Sequence, residues 1–259
     1  MKKVLSIAGS DCSGGAGIQA DLKTMTAHKM YGMTAITALT AQNTTGVFAV
    51  SEVTPTFLAQ QLDSIMTDIY PDSVKIGMVS SAAIIETIAE KLMTYQAKNI
   101  VVDPVMISTS GSRLLNEDAM AALISTLIPL ATIITPNIPE AECLAEMTIS
   151  TKEDMEMAAI NISQFYRGAI LIKGGHLEGT ADDLLYNNEE FSWFTGGKIE
   201  NVNTHGTGCT LSSSIACHLA AGNNIEISIQ KAKSYITGAL MDDLNLGAGS
   251  GPLNHCYCL

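Results

Sequence analysis

Along the chain, short apolar runs rich in β-branched residues alternate with longer stretches whose apolar positions return every three or four residues. "KVLSIAG" leads into "AGIQADLKTMTAHKM", which gives way to "MTAITALTAQ". "SVKIGM" precedes "SAAIIETIAEKLMTYQ", and "NIVVDPVM" precedes "NEDAMAALISTLIPL". "ATIITPN" opens onto "PEAECLAEM" and a further helical stretch through Tyr166; "GAILIKGG" follows. "DDLLYN" and "EFSWFT" read as a hairpin around Asn187-Asn188, and helical patterns over 206–221 and about 225–242 close the chain before a glycine-rich tail. Strands and helices in this alternation imply right-handed βαβ crossovers and a mostly parallel sheet with helices on both faces. The pattern predicts a three-layer α/β/α fold with 1–259 as a single domain, since no repeat or linker-like shift interrupts it. Ligands of such sheets bind beyond the carboxyl ends of the strands. The polar residues there become the candidates: Gly9-Ser10-Asp11, Gln42-Asn43, Gly77-Met78, Asp103, Thr135–Asn137 and Lys173-Gly174.

Composition supports this layering. Hydrophobic residues make up 47% and charged residues 15% of the 259, so many elements are expected to be buried on both faces. The net charge of −12 and the lack of any Lys/Arg run disfavour nucleic acid, while a small anion can still be held by backbone amides. Six scattered cysteines without a CxxC pair read as reduced thiols, and the N-terminal "MKKVLSIAGSD" reads as a first strand, its apolar run ending at Ser10-Asp11. No stretch has the length of a membrane span. A cytoplasmic protein is the expectation.

Several segments carry candidate chemistry. "AGSDCSGGAGIQAD" joins the first strand to the first helix but is neither a dinucleotide fingerprint nor a P-loop; its glycines permit either a tight turn or a close ligand. Asp21 lies within the first turns of that helix, as a helix-start carboxylate or as an acceptor for a polar ligand. "TPNIPEAE" places Asn137 and Glu140 as a helix cap and first-turn acid, or as oxygen ligands for Mg²⁺. Lys173, at a strand end before two glycines, is either solvated or reaches a phosphate. "NVNTHGTGCTLSSSIA" puts Gly206, Thr207 and Gly208 at a helix start, an anion site whose field favours the thiolate of Cys209. That cysteine could be a nucleophile, a metal ligand, a buried spacer or a base. His205 and Cys217 lack zinc-ligand spacing to it, and His28, His176, His218 and His255 show none among themselves.

In combination and order, "IAGSDCSGGAGIQADLKT", "TALTAQNT", "KIGM", "VVDPVM", "ITPNIPEA", "KGGH" and "NTHGTGCTLSS" resemble the hydroxymethylpyrimidine/phosphomethylpyrimidine kinases of thiamine biosynthesis, in the ribokinase-like superfamily. The resemblance runs from Val4 to about Gly251-Pro252. It implies ATP-dependent phosphorylation of 4-amino-5-hydroxymethyl-2-methylpyrimidine and then of its monophosphate, with Mg²⁺, in a homodimer. Carried over residue by residue, Gln42 reads the aminopyrimidine edge, helped by Asp21, Thr40 and the Gly9 backbone, and Met78 packs on the ring. Asn137 and Glu140 organise Mg²⁺ and phosphate; Lys173, with Asp103 and Thr204, belongs to the nucleotide side. Gly206–Cys209 form the anion hole, and Cys209 stands where most of the superfamily has an aspartate base. Two alternatives stand beside this: a pyridoxal/pyridoxine kinase on the same scaffold, disfavoured by the intact Gln42-Asn43-Thr44, and a non-catalytic pyrimidine-binding protein, disfavoured by the joint presence of Cys209, Lys173 and Glu140.

Overall fold

The computed structural model describes residues 1–106, 115–175, 181–197, 199, 201 and 203–259. Six strands form the parallel centre of the sheet: β1 (Lys3–Asp11), β2 (Tyr31–Asn43), β4 (Ser73–Ile76), β5 (Ile100–Val102), β6 (Ile133–Ile134) and β7 (Ala169–Ile172). Three antiparallel strands flank them: β3 (Gly46–Glu52) on β2, and β8 (Asp183–Asn187) with β9 (Glu190–Phe194) beyond β7. The order is β3-β2-β1-β4-β5-β6-β7-β8-β9. The chain leaves β1 for β2 on one side and returns to β4 on the other, so the strand order reverses between β1 and β4, where α/β sheets place ligands.

Side chains alternate across the strands and separate the core into two layers. Leu5, Ile7, Val74, Ile76 and Val102 face α2 (Pro55–Asp68), α3 (Ala82–Thr94), α4 (Glu117–Ala122), α5 (Ile138–Ala145) and α6 (Lys152–Ser163). Val4, Val101, Ile133 and Leu171 face α1 (Gly17–Ala27), α7 (Thr207–Ala220) and α8 (Ile225–Met241). Each fully buried Ile or Leu contributes roughly 1.5–3 kcal/mol. The interior of the second layer is partly polar: Ser6, Asp21, Lys75, Ser212, Ser213 and Ser214 are all fully buried.

The expected elements are present, the hairpin turning through Asn188 and Glu189, both at positive φ, the geometry of a two-residue turn that follows the strand twist. Two differences have local causes. Residues 45–72, unassigned by the pattern, contain β3, exposed throughout, and α2, started by the Thr54 cap and Pro55. "NEDAMAALISTLIPL" is not one α-helix: after Ala122 it widens into a π-turn, Leu123–Leu127, and ends in a 3-10 turn, Ile128–Leu130, where Pro129 supplies no amide to continue the ladder. His176 lies outside the described residues.

Candidate active site

Two glycine-bearing helix starts meet at the carboxyl ends of the central strands. The first follows β1. Its pairing with β2 slips between Ala8 and Ser10, a bulge that sets Thr37 and Ala38 of β2 opposite Gly9, and Thr37 bonds the Met78 carbonyl at 2.9 Å. A side chain on Gly9 would strike the Met78 methyl, so these two residues share one wall. Gly17 opens α1 at φ +56°, against the Gly9 carbonyl, and its amide faces the Cys209 sulfur.

The second start is that of α7. Gly206 is its N-cap at φ +84°, and a Cβ there would run into the Gly15 carbonyl; in turn a Cβ on Gly15 would strike the His205 ring. Glycine is therefore needed twice over at 206, for the left-handed backbone and for the contact between the loops. No side chain caps α7, so its first amides and the positive end of its dipole are directed at the cleft.

Charged residues surround this junction. Lys173 Nζ bonds Asp103 Oδ1 at 2.8 Å, and Thr135 donates to the same oxygen at 3.1 Å. The pair abuts Gly208: a Cβ built there would sit 3.3 Å from Asp103 Oδ2 and 3.5 Å from Lys173 Nζ. Burial opposes ionisation of Asp103, yet Lys173 and then Lys75 hold its carboxyl below the ordinary value. For Lys173 burial is likewise outweighed, by Asp103 and Glu140, and the ammonium is held above its ordinary value. Asn137 and Glu140 form a capping box: Asn137 Oδ1 accepts from the Glu140 amide, Glu140 Oε2 from the Asn137 amide, both at 2.9 Å, and Oε1 accepts from the Met106 amide at 3.1 Å. Burial pushes the Glu140 carboxyl up. Asn137 and Lys173 are bridge partners, which brings the cap and the lysine side by side.

Two sequence expectations change. Asp21 is not placed as an acceptor for a ligand. It is fully buried, and its carboxylate is filled by Lys75 Nζ (2.9 Å to each oxygen), Ser6 (2.5 Å) and Ser213 (2.6 Å). The Cys209 thiol is pushed up, not down: burial outweighs Lys75 and the Gly17 amide, while Asp21 and Asp103 add to the rise. The remaining expected residues divide into one flank with Asp103, Asn137, Glu140 and Lys173, the α7 start (Gly206–Cys209) and a second flank with Gly9, Thr40, Gln42 and Met78. Thr204 is exposed at the edge and contacts Ser250 at 3.4 Å.

On the second flank Thr40 bonds the Ser10 carbonyl at 2.9 Å and Gln42 Oε1 at 3.1 Å. The other end of the Gln42 amide lies 3.3 Å from His205 Nε2, which is 2.9 Å from Asp11 Oδ2. Asp11 is filled further by Ser13 and by the Gly15 and Ala16 amides, and these bonds hold its carboxyl low despite burial. A cavity of about 370 Å³ opens beside this group, lined by Ser13, Gly15, Asn43, Thr44, His205 and Pro252 among others.

Sequence reasoning missed His205, Asp11 as its partner, and the buried pair of Lys75 with Asp21. Asp11 stood among the strand-end polar residues and His205 inside the quoted glycine motif, so both were visible, but no spacing rule links residues 194 positions apart. Lys75 carried a usable signal, a lysine in the middle of a fully buried four-residue strand, which requires a buried partner.

The comparisons agree with this architecture. A sequence model of the phosphomethylpyrimidine kinase family matches residues 11–254. The chain is 45% identical over 263 residues to the hydroxymethylpyrimidine/phosphomethylpyrimidine kinase of Escherichia coli, covering 99% of both chains. It is 48% identical to the thiamine biosynthesis bifunctional protein of Geobacter sulfurreducens, covering 97% of this chain and about half, 52%, of that longer protein. Among solved structures, phosphomethylpyrimidine kinase from Clostridium difficile is 48% identical, with a TM-score of 0.83 over 92% of this chain and 98% of that one. The ADP complex of Bacillus subtilis pyridoxal kinase is 38% identical, with a TM-score of 0.90 over 98% and 97%. With the family match over residues 11–254 and a relative 45% identical over nearly the whole of both chains, this chain belongs to the phosphomethylpyrimidine kinase family.

Proposed function

We propose that the chain phosphorylates 4-amino-5-hydroxymethyl-2-methylpyrimidine with ATP and then phosphorylates the monophosphate to the diphosphate, as one domain, in the cytoplasm. The observation that carries the reading is the convergence of the α1 and α7 starts on Cys209, with the Lys173–Asp103 pair on one flank and Gln42 on the other. Phosphoryl transfer asks a protein mainly for positioning and for charge at the migrating group, and this junction offers both.

In the first step the substrate hydroxyl oxygen attacks the γ-phosphorus, the bond to the ADP oxygen breaks, and the hydroxyl proton passes to the Cys209 sulfur. The α7 amides at Thr207, Gly208 and Cys209 take the transferring oxygens, and Lys173 balances their charge. In the ligand-free protein Cys209 rests as a thiol. The thiol first gives its own proton to solvent; the thiolate so formed, the form that accepts the hydroxyl proton, is favoured by Lys75, by the Gly17 amide and by the α7 dipole. In the second step the nucleophile is a phosphate oxygen already largely deprotonated, so a base has less to do.

Mg²⁺ fits the donors that face the nucleotide flank. Asn137 and Glu140 offer oxygen ligands, and Mg²⁺ is usually held by one or two protein oxygens with water and phosphate completing the shell. When bound it neutralises phosphate charge. Homodimer formation is supported by β3, an exposed edge strand on which Val47, Phe48 and Val50 are each more than half exposed.

A second reading, pyridoxal phosphorylation, is favoured by the likeness to pyridoxal kinases, including the Staphylococcus aureus enzyme bound to AMP-PCP at a TM-score of 0.92 and 34% identity. Incubation with Mg-ATP and each alcohol, with products identified by mass, decides between them. Pyrimidine mono- and diphosphate are expected; pyridoxal phosphate without either would overturn the assignment.

A further inference from the structure

We propose that Lys75 and Asp21 form a positioning unit for Cys209, clamping the start of α7 to α1 and β4 and fixing the charge that faces the sulfur. The inference rests on the reading of Cys209 as the proton acceptor. Its geometry is independent of that reading. Lys75 is central in β4 and fully buried, with its amine bonded to both oxygens of Asp21 on α1. Asp21 is also held by Ser6 of β1 and by Ser213 of α7. Ser213 is four residues after Cys209, one helical turn along the same face, so the bond to Asp21 fixes the turn that carries the sulfur. Three elements are thus fastened at one carboxylate. Gly77, just past β4, admits the ammonium: a Cβ there would lie 2.7 Å from Lys75 Nζ.

A buried ion pair is a poor way to stabilise a fold, because desolvation of two charges offsets most of their attraction; well-packed apolar residues do as well or better. Its position beside Cys209 and the start of α7 gives it another use. The charged groups facing Cys209 are Lys75 from β4, Asp21 from α1, Asp103 after β5 and Lys173 after β7. Lys75 is a cation that opposes the two acids there, and the mutual influence is visible on both sides: Cys209 and Asp103 join Asp21 in holding Lys75 above its ordinary value against burial. Asp21 in turn directs the ammonium, while Asp103 and Cys209 also favour its charged form.

The two halves of the pair should therefore act on the sulfur in opposite directions. Lys75→Met leaves Asp21 facing Cys209 and disfavours thiolate; Asp21→Asn leaves the cation and favours it. The test is the rate of alkylation of Cys209 by iodoacetamide as a function of pH, resolved by mass spectrometry of the peptide, without substrate or nucleotide. A charge within about 4–6 Å moves such a midpoint by 1–3 units, so a shift of about one pH unit upward in Lys75→Met and downward in Asp21→Asn is expected, each about tenfold in rate below the midpoint. Ser213→Ala, which breaks only the clip to α7, should lower kcat of the first phosphorylation with the midpoint unchanged. Should Lys75→Met fail to fold by circular dichroism, Asp21→Asn and Ser213→Ala carry the test alone. Midpoints that stay put, or move the same way in both charge variants, would overturn the proposal. Failure of the underlying reading has a different signature: Cys209→Ser would retain the full first-step rate while the alkylation shifts persisted.

Discussion

Replacing Lys173 by Met removes the ammonium that sits 2.8 Å from Asp103 Oδ1, while most of the apolar stem is kept. Asp103 is then left 4% exposed, with Thr135 as its close donor and Lys75 as its nearest remaining cation. Stranding one member of a buried pair costs about 3–5 kcal/mol. The surviving Thr135 bond and Lys75 favour the lower end, about 3 kcal/mol, which for a chain of this size is roughly 6–12 °C in Tm. The cost depends on pH in a defined sense. In the native protein Asp103 is held below its ordinary value, so the stability it contributes is complete above the unfolded carboxylate value and is lost as the pH falls through the lower, folded one. In Lys173→Met burial is unopposed by that ammonium and the folded value rises. The variant then pays for an unpaired carboxylate at neutral pH and sheds part of the penalty in acid, where Asp103 takes up a proton. Urea denaturation of both proteins at pH 7.5 and pH 5 measures the gap directly. It should be widest at pH 7.5 and shrink at pH 5, and kcat at pH 7.5 should fall at least about tenfold. A gap that is the same at both pH values, or that widens in acid, would refute the electrostatic account of this pair.

Two further outcomes follow from the glycine junction. Gly206→Ala forces a Cβ into the left-handed region and against the Gly15 carbonyl, so calorimetry should register a loss of at least about 1–2 kcal/mol and steady-state assays a fall in kcat; a native Tm with native kcat would mean the loops are not held by this contact. Cys209→Ser should slow the first phosphorylation by ~10²–10⁴-fold and the second far less, read by single-turnover analysis of each product; equal slowing of both steps would assign the sulfur a role other than proton acceptor.

How much of this was legible in the sequence depends on the range of the interaction. β1, α1 and the hairpin β8–β9 are local patterns, and the strand-end rule then collected Gly9, Gln42, Asp103, Asn137 and Lys173 at one edge without any knowledge of contacts. The element α2 had its start written in Thr54-Pro55 and went unread because the exposed strand before it broke the alternation. Asp21 failed for a different reason. Position at a helix start says that a carboxylate is favourable there, not which way it points, and the deciding partners are Ser6, Lys75 and Ser213, from three other elements. The direction of the Cys209 shift failed in the same way, since the helix-start field is local and readable whereas burial beside Asp21 and Asp103 is a property of the packed layer.

The capping box at Asn137 and Glu140 poses the sharpest remaining conflict, because the residues read as metal ligands are already engaged as a helix cap. The two roles are compatible in principle. Each Glu140 oxygen accepts one backbone amide, from Met106 and from Asn137, and a carboxylate oxygen has a second lone pair to offer. They separate under one substitution. Gln at this position can still accept from the Asn137 amide, as glutamine does in natural capping boxes, but its NH2 turns a donor on the Met106 amide; Glu140→Gln therefore keeps the cap, loses the Met106 bond at about 1–3 kcal/mol and removes the charge. A residue that serves only the helix would then lose that stability and leave the Mg²⁺ dependence of ATP turnover as it was. A residue that also faces the metal would, beyond that loss, raise the Mg²⁺ concentration needed for half-maximal rate by tenfold or so, on the order of the 10–100-fold losses seen when groups that support a metal site are altered. The second outcome is the expected one. Burial holds the Glu140 carboxyl high in the ligand-free protein, and Lys173 beside it already acts against that rise. A divalent cation would act in the same sense more strongly, so the Mg²⁺ requirement of the parent enzyme should sharpen as the pH falls toward the Glu140 value, and that pH dependence should be absent from Glu140→Gln.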